Sequence, residues 1–274
     1  MPSYENRPWL DKVRLNSTPP TFREPKEEER SRAPLWMKLA AIGVIAAGAG
    51  IGWYALRAPG PIDSLDYALP APTEVAPSPR VGGLRIDVNG SSINAGTGSV
   101  VNYKTVTLIV TAHHIFGPPG GLLATMDAKS VSRKVSLARL DAQDGEVDSR
   151  RALLLDGAAP MKADDGKDDV AAFLVDPGER APTLATELPE SGAALTLVLA
   201  QGRRTTVRVI DAKPNRIFYE TDGDVGKAAS GAPLYNVQGE LSGIHLGTMM
   251  FEGKLRSVAN PAPAIRAKLE KAIL

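Results

Sequence analysis

From Val81 onward, apolar and polar positions alternate in short runs broken by turn residues. The runs are Leu84–Val88, Ser99–Tyr103, Thr107–Thr111, Val131–Leu140, Ala152–Leu155, Val170–Val175, Leu195–Leu199, Thr205–Ile210, Ile217–Glu220, Pro233–Asn236, Leu241–His245 and Leu255–Val258. A dozen such runs predict an all-β domain, an antiparallel sandwich or a pair of barrels, because βαβ units would place helical spacing between them. After Asn260, the stretch PAPAIRAKLEKAIL sets Ile265, Leu269 and Ile273 at helical spacing behind a proline-bearing start, and predicts a closing helix.

Upstream the pattern changes. Leu39 to Leu56 is a run of eighteen residues without a charge, which as a helix covers about 27 Å, near the hydrocarbon thickness of a bilayer. Trp36 precedes the run and Trp53 with Tyr54 lies near its far end, as ring side chains do at membrane interfaces. A single transmembrane helix is therefore expected over residues 35–57. A cleaved signal peptide is the rival reading; the long leader and the want of a clean A-x-A site speak against it. Arg23, Lys26, Arg30, Arg32 and Lys38 precede the span and only Arg57 follows closely, so the N-terminus is expected in the cytoplasm and the bulk of the chain outside it. An extracytoplasmic, periplasmic or extracellular domain follows from that orientation. Gly48 and Gly52 form a G-x-x-x-G pair that suits a homodimer through the helix, although so Gly- and Ala-rich a segment yields such pairs by chance. Residues 1–34 are charged and poor in apolar runs, and read as a disordered cytoplasmic tail. Residues 58–80, with prolines at 59, 61, 70, 72, 77 and 79, read as a semi-extended stalk carrying a domain over residues 81–274.

Composition narrows the chemistry. The 274 residues carry a formal net charge of +1, so no basic field argues for nucleic acid. Cysteine is absent, which removes disulfides and thiolate catalysis. Only three histidines exist, His113, His114 and His245. No cofactor and no metal-ligand cluster is expected.

Three motifs stand in an informative order. An apolar strand ends in Thr111-Ala112-His113-His114, a T-A-x-H pattern that makes His114 the candidate general base. Asp169 heads a D-V-A segment leading into the next apolar run. Ser230-Gly231-Ala232-Pro233-Leu234 has the form S-G-x-P-L, and Gly243-Ile244-His245 follows shortly. Taken together these segments resemble the trypsin-like (chymotrypsin-fold) serine peptidases, whose triad runs in the order His, Asp, Ser. Gly96-Thr97-Gly98-Ser99 resembles the G-T-G strand that precedes the histidine in that family. The Tyr219–Asp222 segment precedes Ser230 by the interval found in cysteine-free bacterial members. The resemblance implies two six-stranded antiparallel barrels with His114, Asp169 and Ser230 in the cleft between them, acting on a protein or peptide through an acyl-enzyme.

The family pattern is not followed throughout. The usual glycine two residues before the nucleophile is Ala228, whose N–H, with that of Ser230, is implied as the oxyanion hole; a methyl group there threatens the geometry. Ala229 lacks the carboxylate that pairs with a freed N-terminus in zymogens. For substrate binding, His245 and Gly243 resemble the pocket strand of glutamyl endopeptidases and viral cysteine peptidases, which implies Glu or Gln at the scissile residue. Asp224 lies where trypsin-type members keep an acidic residue for Lys or Arg. The alternative to an active peptidase is a membrane-tethered protease-fold scaffold of weak or no turnover.

Overall fold

The computed structural model describes residues 79–176, 181–223, 225–226 and 228–273. The expected tail, the membrane helix at 35–57 and the stalk up to residue 78 lie outside the described residues, as does Asp224. Among the described residues no helix is long and apolar enough to cross a membrane.

Twelve strands close into two barrels. The first contains β1 (Val81–Val88), β2 (Ser91–Tyr103), β3 (Val106–Thr111), β4 (Val135–Ala142), β5 (Gly145–Ala152) and β6 (Ala171–Val175), in the order β1-β2-β3-β6-β5-β4. The second contains β7 (Ala194–Val198), β8 (Arg204–Lys213), β9 (Arg216–Thr221), β10 (Pro233–Tyr235), β11 (Leu241–Phe251) and β12 (Lys254–Pro261), in the order β7-β8-β9-β12-β11-β10. Neighbours within each barrel pair antiparallel. This is the architecture the resemblance implies.

Alternation explains the strands. In β1, Leu84, Ile86 and Val88 point into the barrel while Arg85 and Asp87 are less buried, as the two-residue period requires. The β1–β2 hairpin turns at Asn89-Gly90, both with positive φ (51° and 80°), the pair that a two-residue turn favours. Closing both barrels leaves no long unpaired edge.

Two stretches differ from expectation. Residues 131–140 are not one strand: Ala128–Lys134 is a helix, α1, and β4 starts only at Val135. The Asp127 side chain accepts the Ser130 N–H at 2.6 Å and caps that helix, a local bond that outweighs a continuous strand. The strand expected at 152–155 lies earlier, at Gly145–Ala152. It escapes notice because its outward face is charged: Asp148 meets Arg139 of β4, and Glu146 meets Arg85 of β1. Leu153 and Leu155 are buried just past its end.

One apolar cluster fills the first barrel and continues through Val198, Phe218, Tyr235, Ile244 and Val258 of the second. The interior of the second barrel forms its own cluster around Leu197, Val207, Val209, Ile217, Tyr219 and Leu234. The closing helix α2 (Ala262–Ile273) buries Ala262, Ile265 and Leu269 in the first cluster, and Ile273 packs against it. Its outer side is tied down where Lys104 meets Glu270 at 2.6 Å and Arg266 donates to the Leu184 carbonyl at 3.1 Å.

Candidate active site

The strand β3 delivers its histidine by ending. After Thr111 the chain leaves the barrel through Ala112 into a short 3-10 turn, His113–Phe116, which puts His114 at the barrel rim. His113 points inward instead: it is buried and its Nε2 meets the Met126 carbonyl at 2.8 Å. Burial holds the His113 imidazole below its ordinary value, against the pull of that carbonyl, so it is a neutral structural residue. The adjacent histidines thus have separate duties.

Asp169 sits immediately before β6 and is completely buried. Its Oδ1 accepts the His114 backbone N–H at 2.9 Å and its Oδ2 meets His114 Nδ1 at 2.9 Å. A third donor, the Met161 N–H, reaches Oδ2 at 2.9 Å. A buried carboxylate held by three donors is fixed in orientation, and it fixes the imidazole with its remaining nitrogen outward. That nitrogen, His114 Nε2, lies 2.7 Å from Ser230 Oγ. The three residues expected from separate motifs form one hydrogen-bonded line across the two barrels.

Ser230 occupies a tight turn between β9 and β10. Gly231 has φ +86°, and a Cβ there would fall 2.1 Å from the Thr97 carbonyl, so a side chain is excluded twice over. The Ala229 carbonyl accepts the Ala232 N–H at 2.7 Å. In a trans peptide the Ser230 N–H then points the opposite way, and among the described residues it has no acceptor. Ala228 is exposed at the lip of this turn, and its carbonyl accepts from the Thr97 hydroxyl at 2.7 Å.

Beside Ser230 opens a cavity of about 810 Å³, walled by β9, β11 and β12 and by Val225 and Gly226. His245 lines it from a position 4% exposed, and its Nδ1 lies 2.6 Å from the Tyr219 hydroxyl. Burial, with a smaller contribution from the charge of His114, pushes the His245 imidazole down to about 4, so it is neutral at pH 7. Burial equally drives the Tyr219 phenol upward, so it stays protonated. The phenol O–H is thus available to donate to His245 Nδ1. Gly243, expected beside His245, does not line the cavity; a Cβ there would sit 2.7 Å from the Asn260 carbonyl, so the glycine permits β11 and β12 to approach. Among the described residues no group of three or more His, Asp or Glu is placed to hold a metal ion.

The chain is similar to solved structures of bacterial serine proteases. One is the protease Rv3671c of M. tuberculosis: its inactive form shares 17% identity over 71% of this chain and 89% of that one, at a TM-score of 0.45. Its active form shares 18% identity over 71% and 81%, also at 0.45. Another is a serine endoprotease from Yersinia pestis, with 20% identity over 71% of this chain and 63% of that one, at 0.47. No protein-family profile matches the chain, and no curated protein matches it. The reading of the site rests on its own geometry.

Two residues of the site carried no signal in the sequence. Asn260 is fully buried and donates to the Asp169 carbonyl at 3.2 Å and the Lys167 carbonyl at 3.3 Å, so β12 of the second barrel steadies the acid of the first. Tyr219 lies in a segment notable only for its distance from Ser230, and its partnership with His245 spans 26 residues.

Proposed function

We propose that this protein is a serine endopeptidase that cleaves after Gln or Glu. The observation that carries the proposal is the line Asp169–His114–Ser230, with contacts of 2.9 and 2.7 Å, beside a cavity lined by the buried, neutral imidazole of His245. In this mechanism Ser230 attacks the scissile carbonyl while His114 Nε2 takes its proton, and Asp169 stabilises the imidazolium that results. The Ser230 and Ala228 N–H groups receive the oxyanion. His114 returns the proton to the leaving amine, and water releases the acyl-enzyme by the reverse sequence. His245 Nε2–H donates to the carbonyl oxygen of the side chain in the cavity, and its neutrality suits the uncharged amide of Gln best.

The domain is tethered by residues 39–56 with its active site outside the cytoplasm, a proposal supported by the uncharged run and the preceding basic residues. The second reading, a scaffold without turnover, is favoured by one feature, the methyl group of Ala228 in the oxyanion turn. Labelling of the full-length chain by a fluorophosphonate probe separates the two. Labelling that Ser230→Ala abolishes is the expected result. A folded wild-type chain that takes no probe would replace the peptidase with the scaffold.

A further inference from the structure

The nucleophile turn is held from the opposite barrel, and the contacts converge on one side chain. Thr97 lies in β2, fully buried. Its hydroxyl donates to the Ala228 carbonyl at 2.7 Å, and its backbone N–H donates to the Ser230 carbonyl at 2.9 Å. These carbonyls belong to the peptide units on either side of the unit that carries the Ser230 N–H. With both neighbours fixed, and the Ala229 carbonyl committed to Ala232, that N–H has no freedom of direction.

Thr97 is itself registered. The Thr111 hydroxyl, also fully buried, donates to the Thr97 carbonyl at 2.7 Å. Thr111 ends β3, three residues before His114. Hydrogen bonds thus run from the strand that presents the base, through Thr97, to the turn that presents the nucleophile. The glycines around this chain of contacts keep it short. A Cβ on Gly96 would lie 2.8 Å from the Ser230 carbonyl, and one on Gly231 would meet Thr111 Oγ1 at 2.3 Å.

A cavity of about 360 Å³, lined by Thr97 and by Leu199, Gln201 and Arg203 from the β7–β8 connection, opens beside Ala228 and Ala229. Within the turn, the Ala229 N–H reaches the Gly226 carbonyl only at 3.4 Å. Ala229 has no polar side chain with which to anchor itself.

We infer that Thr97, backed by Thr111, is a positioning residue that aims the nucleophile turn, and through it the oxyanion donor, at the base. The inference rests on the peptidase reading for its catalytic consequence but not for its structural content. The test compares full-length wild type, Thr97→Val and Thr97→Ser by fluorophosphonate labelling over a range of probe concentrations. Loss of the hydroxyl slows the saturating labelling rate about tenfold, less than outright loss of an oxyanion donor, and leaves the half-saturating concentration unchanged. Thr97→Ser, which keeps the hydroxyl, restores the rate. Thr97→Val labelling at the wild-type rate overturns the inference. A wild-type chain that takes no probe sinks the peptidase reading instead, and amide hydrogen exchange of the peptic fragment containing Ala228–Ala232 then decides: faster exchange in Thr97→Val than in Thr97→Ser supports the buttress, equal exchange removes it. Should Thr97→Val fail to fold, Thr111→Val takes its place in the same comparison, with slower labelling for and wild-type labelling against.

Discussion

Tyr219 and His245 show what a single residue contributes when its neighbours define its protonation. An imidazole lining a binding cavity could be a cation for a carboxylate or a donor for an amide. Burial removes the first role, and in the proposed reading the Tyr219 O–H, directed at Nδ1, assigns the second. Tyr219→Phe keeps the ring packing and removes that proton, so His245 becomes free to place its hydrogen on either nitrogen. The expected result is a fall in kcat/KM for peptides with Gln at the scissile residue of about tenfold, the equivalent of ~1.4 kcal/mol for one hydrogen bond. Peptides with a small apolar residue there should be affected little. Equal losses on both substrate classes would contradict the role given to Tyr219. His245 was visible in the chain because G-I-H follows the S-G-x-P segment. Tyr219 was not, because its function exists only where β9 and β11 face the same cavity, and no local pattern encodes that contact.

Elements were legible where burial is one-sided and obscure where the outer face carries the ion pairs. The closing helix α2 announced itself by Ile265, Leu269 and Ile273, and Ile265 and Leu269 are fully buried. Leu269→Ala should therefore cost about 2–5 kcal/mol in urea unfolding, the range for a core Leu that leaves a cavity. A loss under ~1 kcal/mol would mean the helix is not integral to the core. β5 shows the converse. Of its eight residues only Val147, Ser149 and Ala152 are buried, and its charges are read as a loop until β4 brings Arg139 to Asp148 at 2.5 Å. The strand is stabilised by partners, not by its own propensity. At α1 the confusion was of another kind: Val131 alone is buried in that helix, too little for a periodicity to appear.

At the scale of the whole molecule, the site is an interface between barrels. His114 and Asp169 belong to the first, Ser230 and His245 to the second, with Asn260 and Thr97 reaching across in opposite directions. Folding of the whole therefore responds to groups buried at this junction. His245 binds its proton at about 4 in the fold, against 6.5 ordinarily. The unfolded chain is protonated first as pH falls, so the stability from keeping His245 neutral is full above pH 6.5 and drains between pH 6.5 and 4. The loss is about 3 kcal/mol at the acid end. His113, also shifted down by burial, adds in the same direction. Urea unfolding at pH 7.5 and pH 4.5 should show this drop in wild type and a smaller one in His245→Gln. An identical pH dependence in both would show that His245 does not titrate in this way.

The amino-acid sequence by itself determined the all-β character, the order of histidine, aspartate and serine, and the helix at the end. Each of these is written locally, in residue periodicity or in a few adjacent residues. The tertiary structure decided where each of the two adjacent histidines points, what holds Asp169, how the Ser230 turn is held and that Tyr219 faces His245. These depend on contacts between residues 8 to 131 positions apart, and the longest of them exist only once the barrels have closed and met.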